Sequence, residues 1–130
     1  STKKRGDTMA WNLNSDRPIF IQIVERIEMD IISGKYKPGD KLPSVRDFAA
    51  EAAVNPNTMQ KAFTELERTG LVFSQRTTGR FITEDTSMID ELKSTLAKDK
   101  ITELLSFMQQ LGFQENEILA MIGQTMKGEK

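Results

Sequence analysis

Asn55, Asn57, Thr58, Gln60 and Lys61 crowd into the stretch NPNTMQK, which runs straight into an apolar-spaced pattern. Amide side chains both donate and accept hydrogen bonds and so match the edge of adenine, while lysine and arginine suit guanine or phosphate. Asn55 is a good helix cap and Pro56 is favoured at a first helical position, so the cluster stands at the start of a helix. Capping needs one polar side chain. The others point mostly away from the stripe of Met59, Ala62, Phe63 and Leu66 and are left to touch a partner. Two further groups carry the same chemistry: Ser44 and Arg46 in SVRDF, and Arg76, Thr78, Gly79 and Arg80 in RTTGR.

The chemistry that is missing narrows the field. Cysteine and histidine are both absent, which removes disulfides, thiol nucleophiles, zinc sites built on those ligands and the side chain most used for proton transfer near neutral pH. Glu84-Asp85 and Asp90-Glu91 could in principle form an acid–base pair or a Mg²⁺ site. They stand in a polar stretch with no glycine-rich phosphate loop, which reads as a solvated acidic linker. No enzyme activity, cofactor or metal is expected.

Around the polar groups the chain supplies elements that can hold them. Phe20, Ile23, Val24, Ile27 and Ile31 recur at helical spacing, predicting a helix over 18–33 that stops at Gly34. KYKPGDKLPS is punctuated by prolines and leaves room for a short strand near Lys41-Leu42. Ser44, with Asp47 three residues on, starts a helix over 44–52, and the next spans 56–69. Two short helices joined by AAVN have the form of a helix-turn-helix, whose second helix enters the DNA major groove. A plain helical hairpin with a polar surface fits these residues equally well. The following strands, LVFSQ and FITE, decide between them, because a basic hairpin after a helix-turn-helix makes a winged helix. Its arginines could reach phosphates or an A·T-rich minor groove.

Charge agrees. Residues 35–83 hold eight basic and five acidic side chains, and 84–130 hold five basic and nine acidic, although the whole chain of 130 residues has a net charge of −1. This asymmetry suits a middle segment that meets an anion and a tail with another task.

Residues 18–83, about half the chain, resemble the N-terminal domain of the GntR family of bacterial transcription regulators. The resemblance is carried by PGDKLPSVRDFA and VNPNTMQKAFTELERTGLV in unbroken order. It implies a winged helix-turn-helix with DNA contacts at Ser44, Arg46, Asn55, Asn57, Thr58, Gln60, Lys61, Arg76, Thr78 and Gly79. Arg80 joins them from the basic tip of the wing, and Arg46 is the foremost. The short C-terminal part and the NPNT opening resemble the YtrA-like branch, which adds a small helical region joining two subunits.

That region reads as helices over 87–111 and 114–126. Leu92, Leu96, Leu104, Leu105, Met108 and Leu111 on the first, with Ile118, Leu119 and Ile122 on the second, offer more apolar surface than two isolated helices can hide. A homodimer is expected, since two-fold symmetry presents two recognition helices to a palindrome.

The expected fold is mainly α with a small β-wing. Its domains are an N-terminal arm at 1–16, a winged helix-turn-helix at 17–83 and a dimerisation region at 84–130. Met9 suits a native start, so residues 1–8 are set aside as an arm or an expression remnant. No apolar run approaches the ~20 residues needed to span a bilayer, and a cytoplasmic protein without a membrane partner is expected. The resemblance further implies repression of transcription at a double-stranded DNA operator. It also implies control by a small-molecule effector. A pocket between the tail and the winged domain, lined by Met88, Phe107, Met108, Phe113 and Met121, is the first place to look for its site, although core packing suits each of these residues better. A winged helix that serves only as a protein-interaction module is the alternative.

Overall fold

The computed structural model describes residues 11–128, so most of the arm at 1–16, including Met9, lies outside the described residues. The described chain runs α1 (Ile19–Ile32), α2 (Val45–Ala52), α3 (Pro56–Arg68), β1 (Val72–Gln75), β2 (Gly79–Ile82), α4 (Thr86–Gln110) and α5 (Glu115–Met126). The expected mainly helical fold with a β-wing is what it adopts, with helix ends within a residue or two of those read from periodicity.

Each helix starts where a polar group or an imide ring makes starting cheap. Ser44 Oγ accepts from the Asp47 N–H at 3.0 Å and Asn55 Oδ1 accepts from the Asn57 N–H at 2.7 Å. Each satisfies one of the otherwise unpaired N–H groups of a first turn. Pro56 then occupies the first position of α3, where it has no N–H to lose. α2 ends at Ala53, which takes a left-handed φ of 60°, and Val54 N–H closes back on Ala49 O at 3.0 Å. A residue with a Cβ in that region costs roughly 1–2 kcal/mol. In return the chain turns sharply enough to lay α3 across α2.

Asp85, read above as part of an acidic linker, starts α4 instead. Its Oδ1 accepts from the backbone N–H groups of Ser87 at 3.1 Å and Met88 at 3.3 Å and from Ser87 Oγ at 2.6 Å. These bonds, that of the Ser87 hydroxyl foremost, hold its carboxyl below the usual carboxylate range. Among the described residues no group of three acidic side chains could hold a metal ion, and no helix is long and apolar enough to cross a membrane.

The chain forms two compact units that divide between Asp90 and Glu91, inside α4. The core of the first is made of fully buried Ile23 and Ile27 from α1, Phe48 from α2, Met59, Phe63 and Leu66 from α3, and Val72 and Ile82 from the hairpin. Trp11, Tyr36 and Phe63 all meet Phe48 edge-on, with centroids 5.5, 6.1 and 5.7 Å apart, the arrangement favoured by the ring quadrupole. Trp11, on the segment expected to be an arm, is thus buried core, and its indole N–H donates to Glu51 Oε2 at 3.1 Å. Buried Gln22 ties the same segment to α1, its Oε1 accepting from the Asn14 N–H at 3.0 Å and its Nε2 donating to Asn14 O at 2.8 Å and Arg17 O at 2.9 Å.

In the second unit Met108 and Ile118 are buried, whereas Leu104, Leu105, Leu111 and Leu119 are exposed. Leu92, Leu96 and Ile122 are half-buried.

Candidate nucleic-acid interface

The hairpin pairs antiparallel, with Val72 opposite Ile82, Phe73 opposite Phe81, Ser74 opposite Arg80 and Gln75 opposite Gly79. Side chains alternate between the faces of a strand. Val72 and Ile82 therefore share the buried face with Ser74 and Arg80, while Phe73 and Phe81 stack on the other with centroids 5.8 Å apart. Lys41 pairs with Phe81 in a single antiparallel bridge beside the two-stranded sheet. Leu42 N–H donates to Arg80 O and Ile82 N–H to Asp40 O, both at 2.8 Å. In place of the short strand expected near Lys41-Leu42 there is only this one-residue bridge, and it locks the wing to the residues just before α2.

Between the wing and the start of α2 lies an open concavity of about 720 Å³. Ser44, Arg46, Gln60, Arg76, Thr78, Gly79 and Arg80 line it, together with Lys41 and Asp47. Residues drawn from α2, α3 and the wing, far apart in sequence, are thereby brought to one surface. Among the described residues neither Arg46 nor Arg76 makes an ion pair, and both are exposed. The caps leave donors free: Ser44 accepts through Oγ but keeps its O–H, and Asn55 accepts through Oδ1 but keeps Nδ2, groups that suit phosphate oxygens or base acceptors.

Asn55 and Thr58 line a separate groove with Trp11 and Leu13, and Asn57 is exposed on the first turn of α3. Gln60 Nε2 donates to Thr64 Oγ1 at 3.3 Å, so its amide is already aligned along the helix. Lys61 Nζ stands 4.2 Å from the centroid of the Phe20 ring on α1. Thr78 Oγ1 donates to Gln75 Oε1 at 3.2 Å across the turn.

Arg80 differs from Arg76. Its guanidinium lies over the Phe63 ring at 5.2 Å, and its Nε is 3.4 Å from Glu67 Oε1. Glu67 also accepts from the Ser74 hydroxyl. Strand alternation was the available signal for this inward side chain, since Arg80 and buried Ile82 are two residues apart. The sequence reading missed Lys41 altogether, because a single lysine beside a proline-bounded turn has no periodicity to reveal what it faces.

Residues 21–82 match the family model described as "Bacterial regulatory proteins, gntR family". The chain is 40% identical over 97 residues to the HTH-type transcriptional repressor YtrA of Bacillus subtilis, covering 75% of this chain and 70% of that one. Its fold matches a GntR family transcriptional regulator from Listeria monocytogenes with a TM-score of 0.82, at 38% identity, over 86% of this chain and 98% of the other. It also matches the DNA-binding domain of AraR in complex with operator ORX1, with a TM-score of 0.51 at 29% identity, over 55% of this chain and 88% of that one.

Proposed function

The chain belongs to the GntR family of bacterial regulatory proteins, and on that premise we propose that it is a sequence-specific DNA-binding transcription regulator. It works as a homodimeric repressor on a palindromic operator. The first turns of α3 enter the major groove, where Asn55, Asn57, Thr58, Gln60 and Lys61 face bases and flanking phosphates. Arg46, at the start of α2, grips a guanine or the backbone beside it, helped by the Ser44 hydroxyl. Arg76, Thr78 and Gly79 carry the wing along the adjacent backbone or minor groove, while Arg80, also in the lining, ties the wing to α3 through Phe63 and Glu67.

The observation that carries this reading is the common concavity: exposed, unpaired arginines from α2 and the wing flank Gln60 of α3. A cationic surface of this form suits a polyanion, and its amides suit base edges. The exposed leucines of the second unit support dimerisation. Two-fold symmetry would set the recognition helices one or more duplex turns apart, roughly 34–36 Å or a multiple of it. A small-molecule effector would act by changing that separation.

Selection of bound duplexes from a random pool at near-physiological salt, with Arg46→Ala alongside, tests the proposal. A palindrome enriched by the wild type is expected. Arg46→Ala should then lose about 1–3 kcal/mol of affinity for it if the guanidinium is bidentate to guanine. Equal loss on selected and random duplexes would remove Arg46 from base reading, and a folded dimer that enriches nothing and shows no salt-dependent DNA affinity would favour the protein-interaction module.

A further inference from the structure

Lys41 stands outside every contact assigned above, yet its backbone is fixed to the wing on both sides. Its neighbours Asp40 and Leu42 are pinned to the wing by the two 2.8 Å bonds with Ile82 and Arg80. Leu42 is buried and Lys41 is exposed, the alternation of extended backbone. Lys41 pairs with Phe81, so its side chain lies on the Phe81 face of the sheet, where the residue two positions back along β2 is Gly79.

Gly79 has a φ of +118°, which a residue with a side chain rarely adopts, and a Cβ placed there would stand 3.0 Å from Lys41 Cε and 3.8 Å from Nζ. The missing side chain makes the channel along which the lysine stem lies. At its end the ammonium joins the concavity lined by Arg46 and Arg76. No ion pair to Lys41 occurs among the described residues. The nearby Asp40 carboxylate is turned back on its own loop, its Oδ2 accepting from the Lys37 N–H at 2.8 Å. Asp47, the acidic residue in the lining, follows the Ser44 cap on α2. An exposed ammonium in a concave cationic surface, with no carboxylate paired to it among the described residues, suits a phosphate oxygen.

We propose that Lys41, laid over Gly79 and bridged to Phe81 of the wing, is a DNA-backbone contact that clamps a phosphate between the wing and the start of α2. The proposal rests on the DNA-binding reading. As a compact point charge lysine grips phosphate without reading sequence, so Lys41 sets affinity and register and leaves specificity to α3 and Arg46.

The test is the salt dependence of binding to the selected duplex and to a random duplex of equal length. It compares the full-length wild type with Lys41→Gln, Lys41→Arg and the control Lys35→Gln. Lys41→Gln should reduce the magnitude of the log–log salt slope by about 0.9 per bound chain. The advantage of the wild type should therefore narrow about 3.5-fold for each bound chain between roughly 50 and 200 mM salt, equally on both duplexes. Lys41→Arg should retain the wild-type slope, and Lys35→Gln should leave it unchanged. A wild type that binds with a steep slope which Lys41→Gln does not alter would overturn the assignment. So would a Lys41→Gln loss confined to the selected duplex, which would make Lys41 a base reader. A wild type with no salt-dependent DNA affinity would instead sink the DNA-binding reading itself.

Discussion

The guanidinium of Arg80 sits 5.2 Å from the centroid of the Phe63 ring, on the buried face of the wing. Phe63 is fully buried on α3, so this contact, with the Glu67 ion pair at 3.4 Å, ties the wing to the helix it flanks. Arg76, four residues earlier in the turn, is exposed and without an ion pair among the described residues. Two arginines of one basic turn therefore have different work.

Alanine at the two positions should separate these roles. Arg80→Ala removes a cation–π contact worth about 1 kcal/mol and leaves Glu67 without its partner. Thermal unfolding should shift down by roughly 4–8 °C for each kcal/mol lost in a domain of this size. Arg76→Ala should leave the melting temperature in place, weaken DNA binding evenly across sequences and flatten the salt slope. Calorimetry and a salt titration measure the two effects, and an equal drop in melting temperature for both variants would contradict the division.

Asn55 offers a separation of capping from recognition. Its Oδ1 caps α3, and Asn55→Ala should cost about 1 kcal/mol of stability. Asn55→Asp keeps the acceptor and places a negative charge where the helix dipole favours it, so stability should be held. The same change removes the Nδ2 donor and sets an anion against phosphate. Its expected signature is a wild-type melting curve with sharply reduced DNA affinity; undiminished affinity would show that Asn55 only caps the helix.

Glu28 should act as a pH-dependent destabiliser. Glu28 lies on α1, where partial burial raises its carboxyl above the usual carboxylate value, and the neighbouring carboxylates Glu25 and Glu65 raise it further. Among the described residues Glu25 is paired with Arg17 and Glu65 with Arg68. With the folded value above the unfolded one, the native state binds the proton more tightly and stability falls as pH rises through the folded value. The penalty is complete above that value and gone below the unfolded one. Glu28→Gln should therefore melt higher than the wild type at neutral pH, the gap closing on acidification into the ordinary carboxylate range. A gap that stays constant from pH 4 to 8 would point to packing instead.

Much of this fold is legible in the chain because its signals are local. Ser44 and Asn55 cap helices as their types and positions suggest, and Met59, Ala62, Phe63 and Leu66 are buried together as their spacing requires. The Arg76–Arg80 hairpin closes where the turn residues stand. The polar opening of α3 and the arginines before and after it were visible for the same reason: one stretch of chain shows how many hydrogen-bonding groups a helix start has beyond those its cap uses.

What only the tertiary structure decided concerns residues whose partners are distant in sequence. Trp11 looks like part of a polar arm until Phe48, Glu51 and Arg26 surround it, and Gln22 looks like one more polar residue on a helix until it holds the backbone of Asn14 and Arg17. Asp85 reads as linker charge until α4 begins beyond it. Arg80 turns inward and Lys41 outward because the pairing of the hairpin and of the Lys41–Phe81 bridge assigns each to one face. Periodicity, capping and turn chemistry act over a few residues, so the sequence by itself determined the helices, the wing and the polar face offered to a partner. Which cation meets a ring, a carboxylate or open solvent depends on a register set between segments some 40 residues apart in sequence, and that was settled only when the core closed.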